Sequence, residues 1–563
     1  MDTPPKENIV YQLMQIFFEE EKTSFIVIII LVILINLLQT NITSSVMSSI
    51  IDAVEHQRLD EAMFQYKYFV GVTVVYFIMY SINEMFQLHI LTKVTPWMRA
   101  EFFKHVLRIN DENLTQQSVI RYNSPINRVS YSASSMLNNI IGMVLSNAAF
   151  ILIITGYFLL KIPTLGIVFL IMNIVLIIYV YSTWDNAMDY KTIYETHLNQ
   201  NEQEVIDLFN NLDKVIYRGQ TEREIQDYDI KVKTSISAAM DFYNKITKDQ
   251  LIMTAMIFGI ILVCIWYLIY SKTNNTIDTK TFITFLTILM LYRDKLTTLL
   301  QMIPQFMDFI SRMRYALEKL EEIQPKDMKE YKSPLLVPPP KTADTNMAFN
   351  EIRFESVSYK YNSNDTYLFK NLNVTIDTTQ HIIGITGNSG KGKSTMMKLL
   401  LKLYKQYEGN IYIDGTNIRE IDSTYIRQNI TYVNQSSKLF DKPVIANMLY
   451  GCSNEPDCSK YLNVIMKYPL IRELYKNVDI HNNNAGLLGE NLSGGQRQVV
   501  NILSGLINPS PILILDEPTN ALDLELKKEL LGLIESFRQH KKCIIIITHD
   551  RDAYPLFDNR IRL

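Results

Sequence analysis

Six long apolar runs, separated by polar stretches of very unequal length, occupy the first part of the chain. They are Phe25–Ile42, Tyr68–Leu88, Met136–Leu160, Leu165–Tyr181, Leu251–Tyr270 and Thr281–Met302. Each is close to the ~20 mostly apolar residues a helix needs to cross a bilayer, and a helix satisfies its own backbone in lipid. One such run is compatible with a buried core helix; six in succession predict a bundle of membrane spans. The stretches between spans two and three and between spans four and five are long. They carry apolar residues at helical spacing with few breakers, so they read as helices that continue the spans into water as stalks. Further on the pattern changes to short, continuously apolar runs: His381–Thr386, Ile512–Leu515 and Cys543–Ile547. These read as strands of a parallel sheet covered on both faces. Between the two regimes lie Pro325, Pro334, Pro338, Pro339 and Pro340, which cannot continue a helix and favour an extended linker. The expected division is residues 1–323, a linker over 324–349, and a second domain over 350–563.

Charge adds orientation. Lys93, Arg99, Lys104, Arg108, Arg121 and Arg128 fall between spans two and three, and Lys191, Lys214, Arg218, Arg223, Lys231, Lys233, Lys245 and Lys248 between spans four and five. The three other loops carry few basic residues. Basic loops stay cytoplasmic, so both stalk regions and both termini are expected on that side. The averages for the chain, 48% hydrophobic and 20% charged with a formal net charge of −3, offer no basic surface for a nucleic-acid partner. Asp2, Glu7 and Glu19 to Glu21 precede the first apolar run and argue against a secretory or transit leader. Of four cysteines, Cys452 and Cys458 lie close together without a histidine pair, which reads as ordinary reduced thiols rather than a metal site.

The candidate chemistry sits in the second domain. The strand ending at Thr386 runs into Gly387-Asn388-Ser389-Gly390-Lys391-Gly392-Lys393-Ser394, followed by a helical stretch from Thr395 to Leu403. This is the phosphate-binding loop pattern in its strand–loop–helix setting. Its glycines let backbone N–H groups face phosphates, and the helix N-terminus adds positive potential. Lys393 supplies a point charge and the Ser394 hydroxyl a ligand for Mg²⁺. At the end of the apolar run Ile512–Leu515 stand Asp516 and Glu517, where open α/β sheets bind their ligands. Asp516 is expected to hold Mg²⁺ and Glu517 to orient and deprotonate the attacking water. Phosphoryl transfer depends mostly on positioning and charge stabilisation, so these few groups account for much of the catalysis.

Leu492-Ser493-Gly494-Gly495-Gln496, between Lys393 and Asp516, resembles the signature of the ATP-binding cassette family. Nearly the whole chain resembles the exporter branch. The resemblance implies an α-helical six-span transmembrane domain joined to an α/β phosphate-loop NTPase domain with a helical subdomain. It implies that Tyr361 stacks on adenine, that Gln435 contacts Mg²⁺ and the water, that Pro518–Asp523 crosses a dimer interface, and that His549 contacts the γ-phosphate. The Leu208–Arg223 region resembles a coupling helix. In this family each ATP lies between two cassettes, with the loop Gly387–Thr395 of one facing Ser493, Gly494, Gly495 and Gln496 of the other. One chain holds one of each part, so a half-transporter is implied, with a second identical or related subunit, ATP and Mg²⁺ as cofactors, and a transported lipid, peptide or amphipathic small molecule. An ATP-gated channel or regulatory membrane subunit is the alternative.

Three departures from the family pattern stand out. Gly486-Leu487 replaces a Gly-Glu pair, Leu503-Ser504-Gly505-Leu506 lacks an arginine, and the chain stops soon after His549 without the usual terminal strand and helix. Arg293 and Glu84, in the sixth and second runs, are expected to face a central cavity, the alternative being that Arg293 pairs with Asp294 or Glu84.

Overall fold

The computed structural model describes residues 9–111, 123–321, 347–361, 366–388, 390–404, 406–436, 438–452, 455–520 and 522–563. The chain divides into two compact units, Met1–Val106 with Gln117–Leu336, and Leu107–Gln116 with Val337–Leu563. All five prolines of the expected linker, and Ser389 of the phosphate loop, lie outside the described residues.

The first unit is helical. After α1 (Ile9–Glu20), α2 (Lys22–Leu37) and α3 (Ser44–Glu55) form one long helix through a π-helical segment, Leu38–Thr43. Next come α4 (Leu59–Asp111), then α5 (Asn123–Asn139) joined to α6 (Leu145–Lys161) through a second π-helical segment, Ile140–Val144. They are followed by α7 (Pro163–Asn210), α8 (Leu212–Tyr217), α9 (Thr221–Thr273), α10 (Thr279–Gln301) and α11 (Ile303–Glu321). Five of these assemblies are long and apolar enough to cross a membrane: α2–α3, α4, α5–α6, α7 and α9. The sixth expected span is the helix α10, whose Arg293, Asp294 and Lys295 interrupt its apolar stretch. Helices α4, α7 and α9 have 53, 48 and 53 residues. At ~1.5 Å per residue each exceeds twice the ~30 Å bilayer core, which is the stalk the polar stretches predict. Helix α8 falls in the Leu208–Arg223 region and buries no residue.

The π-helical turn after α2 has a local cause. Asn36 Nδ2 donates to Val32 O at 2.8 Å, and Thr40 Oγ1 donates to Asn36 O, so side chains compete for the carbonyls of the helical ladder. Phe158, Phe169, Phe285 and Tyr292 form an aromatic centre, and the buried Tyr292 hydroxyl donates to Asn173 Oδ1 at 2.8 Å. Arg293 pairs with its neighbour Asp294 at 2.8 Å.

The stalk part of α7 carries a buried cation. Lys191, 2% exposed, contacts Glu195 at 2.8 Å and Asp308 of α11 at 2.6 Å, and Arg312 closes the group on Asp308 at 3.0 Å. Two positive and two negative charges thus tie α7 to α11.

The second unit holds two sheets. Strands β1 (Glu351–Tyr359), β2 (Phe369–Asp377), β4 (Glu408–Ile413) and β5 (Thr416–Asn417) form an antiparallel sheet in the order β2-β1-β4-β5. Strands β3 (Ile382–Thr386), β6 (Ile430–Val433), β7 (Ile512–Asp516), β8 (Cys543–Ile547) and β9 (Asn559–Arg562) form a parallel sheet in the order β6-β7-β8-β3-β9. Every residue of β3, β7 and β8 is buried, as continuous apolar runs require. The helices are α12 (Lys393–Leu400), α13 (Ser423–Asn429), α14 (Val444–Met448), α15 (Glu455–Ile465), α16 (Pro469–Leu474), α17 (Gly494–Ile507) and α18 (Leu524–Ser536). A Cβ on Gly505 would lie 2.5 Å from Val433 Cγ2 and 2.8 Å from Leu513 Cδ1, so this glycine lets α17 approach β6 and β7 closely.

Two expectations need correction. A terminal strand is present: β9 pairs with β3, from Ile383 opposite Asn559 to Thr386 opposite Arg562. It is four residues long at the sheet edge, with three polar side chains, so no apolar run announces it. Cys452 and Cys458 are joined as a disulfide, their Cα atoms 6.6 Å apart, within disulfide reach.

Replacing Lys191 with Met would remove the close partner of buried Glu195, leaving it only Arg312 at 3.9 Å, and one of the two cations on Asp308. Breaking a buried ion pair by removing one partner costs about 3–5 kcal/mol. The variant is expected to melt several degrees below the parent when the detergent-solubilised protein is heated and the folded fraction read by gel filtration.

Candidate nucleotide and metal site

The site is assembled at the ends of β3, β7 and β8 and at the start of α12. Gly387, Gly390 and Gly392 have φ of +152°, +80° and +84°, so the chain curls through conformations that favour glycine before α12 begins at Lys393. Lys393, 6% exposed, bends back into its own loop and donates to Gly387 O at 2.9 Å and Asn388 O at 3.0 Å. Its ammonium is held where phosphate oxygens would replace those carbonyls. Tyr361 lies against the same helix, its hydroxyl 2.7 Å from Thr395 Oγ1 and its ring edge-on to Tyr359 and Tyr404.

The second wall is acidic. Asp516, the last residue of β7, is 3% exposed. Its Oδ2 accepts from the Tyr432 hydroxyl at 2.6 Å, while its buried Oδ1 has no protein partner. Glu517 follows with φ +50°, its N–H donating to Ile547 O at 2.9 Å. A non-glycine residue in this region stores strain of order 1–3 kcal/mol, and such strain gathers at functional sites. His549 Nδ1 donates to Glu517 Oε1 at 2.8 Å, and Thr548 Oγ1 to Oε2 at 3.4 Å.

The donors suit a hard cation. The Ser394 hydroxyl, the Asp516 carboxylate and the Gln435 amide are all oxygen ligands, and Asp516 Oδ1 is an orphaned buried acceptor. Among the described residues no group of three His, Cys, Asp or Glu side chains gathers as a metal site. A cation here would be shared with phosphates, which is how Mg²⁺ is ordinarily held in such sites.

The signature forms a helix start. Ser493 caps α17: its Oγ accepts from Gln496 N at 3.2 Å, while Gln496 Oε1 accepts from Ser493 N at 2.8 Å, a complete capping box. Ser493 and Gly494 are exposed, with the helix N-terminus open to an anion. Gln435 is exposed just past β6. Tyr361, Lys393 and Thr395 therefore cluster at the start of α12, and Asp516, Glu517 and His549 at the ends of β7 and β8. The side chains of Ser493 and Gln496 bond to each other's backbone and, through Gln496 Nε2, to Leu474 O, while Gln496 O accepts from the Tyr475 hydroxyl.

Sequence reasoning missed two residues. Tyr432 is described above. Gln498, buried on α17, donates to Glu517 O at 3.1 Å and Pro518 O at 2.6 Å, and so holds the turn that carries the acidic pair. Its position two residues past Gln496, where the helix turns inward, was the available signal. Among the departures, Ser504 Oγ donates to Tyr450 O at 3.4 Å, and Leu487 is 65% exposed.

A glycine-lined phosphate loop before a helix, a paired acidic terminus on a buried parallel strand and a capped signature helix define a cassette-type ATPase domain, here on a chain of membrane-length helices. The comparisons agree. The ABC transporter transmembrane region matches residues 23–296 and the ABC transporter domain residues 369–520, and the chain belongs to the ATP-binding cassette transporter family as an integral multi-pass membrane protein with a cytoplasmic nucleotide-binding domain. The ATP-dependent lipid A-core flippase of Photorhabdus laumondii is 32% identical over 205 residues, 35% of this chain and 34% of the relative. The chloroplastic ABC transporter B family member 26 of Arabidopsis thaliana is 34% identical over 205 residues, 35% of this chain and 28% of the relative. The chain thus spans about a third of the length of these curated relatives. The fold matches that of a bacterial Atm1-family ABC exporter with ATP bound, with a TM-score of 0.80 at 19% identity over 96% of this chain and 93% of that one.

Gln498→Ala would leave the Glu517 and Pro518 carbonyls without their buried donor, which costs about 1–3 kcal/mol. The expected result is a lower unfolding midpoint for the cassette in the full-length protein, with a fall in ATP turnover that exceeds the change in nucleotide affinity.

Proposed function

We propose that this protein is an ATP-hydrolysing exporter that works as a dimer, with each ATP held between the Gly387–Thr395 loop of one copy and the Ser493–Gln496 turn of the other. The observation that carries the reading is the Glu517–His549 contact at 2.8 Å beside Asp516, with its free Oδ1. Together with Lys393 they supply a phosphate cradle, a metal ligand and a base for water. Mg²⁺, when bound, would neutralise charge on the phosphates. Glu517 would take the proton of the attacking water while His549 holds its carboxylate in position.

The long helices α4, α7 and α9 would carry cassette closure to the membrane, where a cavity opens to alternate sides. The flippase relative and a lactococcin-G processing and transport protein of Lactococcus lactis, 33% identical over 204 residues, support a lipid or a peptide as cargo. Ionisable groups at membrane depth usually face protein or water. The partly exposed Arg293–Asp294 pair on α10 is accordingly proposed to line the cavity, with Glu84, which is exposed on α4.

Glu517→Gln is expected to keep ATP binding and to lower turnover by about 10²–10⁴-fold, the usual contribution of a positioned base. Nucleotide binding by filter assay and phosphate release on reconstituted protein would check it. Unchanged phosphate release would remove Glu517 from its role.

A further inference from the structure

Tyr432 occupies the third position of β6, the strand that runs parallel to β7 with Tyr432 opposite Ile514. The hydroxyl donates to Asp516 Oδ2 at 2.6 Å and has the Ser394 hydroxyl as a second hydrogen-bonding neighbour. It therefore stands between two residues whose oxygens fit the cation.

A carboxylate has two chemically equal oxygens and several lone-pair directions. The Oδ1 of buried Asp516 has no hydrogen-bond partner. A single donor on Oδ2 removes the equivalence and leaves Oδ1 as the oxygen on offer. The phenol is a dependable donor.

We propose that Tyr432 is a positioning residue for the divalent cation, orienting Asp516 so that Oδ1 faces the metal that accompanies the nucleotide. Groups of this kind, bonded to a ligand rather than to the metal, typically contribute 10–100-fold to metal affinity. The inference rests on the reading of the cassette as a Mg²⁺-dependent ATPase, and it adds a specific requirement. Removing one hydroxyl, with no change in ring or strand, should weaken the metal and spare the nucleotide.

The test uses full-length protein in nanodiscs with AMP-PNP as the nucleotide and Mn²⁺ as the probe, titrated by electron paramagnetic resonance. Nucleotide affinity is measured separately in EDTA. Tyr432→Phe is expected to bind Mn²⁺ about 10–100-fold more weakly while its affinity for AMP-PNP in EDTA equals that of the parent. Placing 4-aminophenylalanine at position 432, which keeps a donor at the ring tip, is expected to return Mn²⁺ affinity towards the parent value. Equal Mn²⁺ affinity in parent and Tyr432→Phe would overturn the proposal. So would parallel loss of nucleotide affinity in EDTA, or failure of the donor-bearing residue to restore the metal, since either marks a packing defect. If the parent itself takes up no Mn²⁺ with AMP-PNP, the ATPase reading fails first.

Discussion

The burial of three adjacent parallel strands governs the second unit. Strands β3, β7 and β8 expose nothing along their length, so every polar group they carry must appear at their ends. There the backbone runs out of sheet partners, and Thr386, Asp516 and the residues after Ile547 emerge together because the strands run in the same direction. The phosphate loop, the acidic pair and the histidine come from distant parts of the sequence. They meet because Ile383, Ile545 and Ile514 are aligned rung by rung across the sheet. An antiparallel arrangement would send half of these groups to the opposite edge.

The helical unit works under a different constraint. Lipid offers no hydrogen-bond partners, so the buried polar side chains of the spans turn to backbone carbonyls of their own helix, as Asn36, Thr40, Thr155 and Asn173 do. Charge is admitted where it can be matched. Lys191 is almost wholly enclosed, but two carboxylates and two aromatic rings, Tyr194 and Phe242, surround it. Among the described residues Arg293 pairs with its adjacent Asp294 and remains partly exposed. This difference separates a joint within the helical bundle from a pair that is available to something else.

Much of this was legible from the sequence because it rests on local pattern. Apolar runs of membrane length gave long helices, and continuous apolar pentads gave β3, β7 and β8. The loop Gly387–Ser394 and the cap at Ser493 are written in consecutive residues. Harder features depend on contacts between segments remote in sequence. Tyr432 looks like one more β-favouring aromatic until β6 is placed beside β7 and its hydroxyl meets Asp516. Gln498 looks like a surface amide until α17 packs over the turn after β7. Strand β9 is polar and short, and only its pairing with β3 makes it a strand. The charges in α10 give a sixth helix a mixed composition. The disulfide between Cys452 and Cys458 depends on a Cα separation of 6.6 Å that spacing alone does not specify.

The left-handed backbone at Glu517 limits what that position can become. Valine, isoleucine and threonine are excluded there by their branched Cβ, and glycine, asparagine or aspartate enter with the least strain. A lineage that abandoned hydrolysis while keeping the sheet would thus drift along a short menu of replacements. Two of the three lack a carboxylate and the third has a shorter arm. The shape of the main chain, and not only the demands of chemistry, would steer the history of this residue.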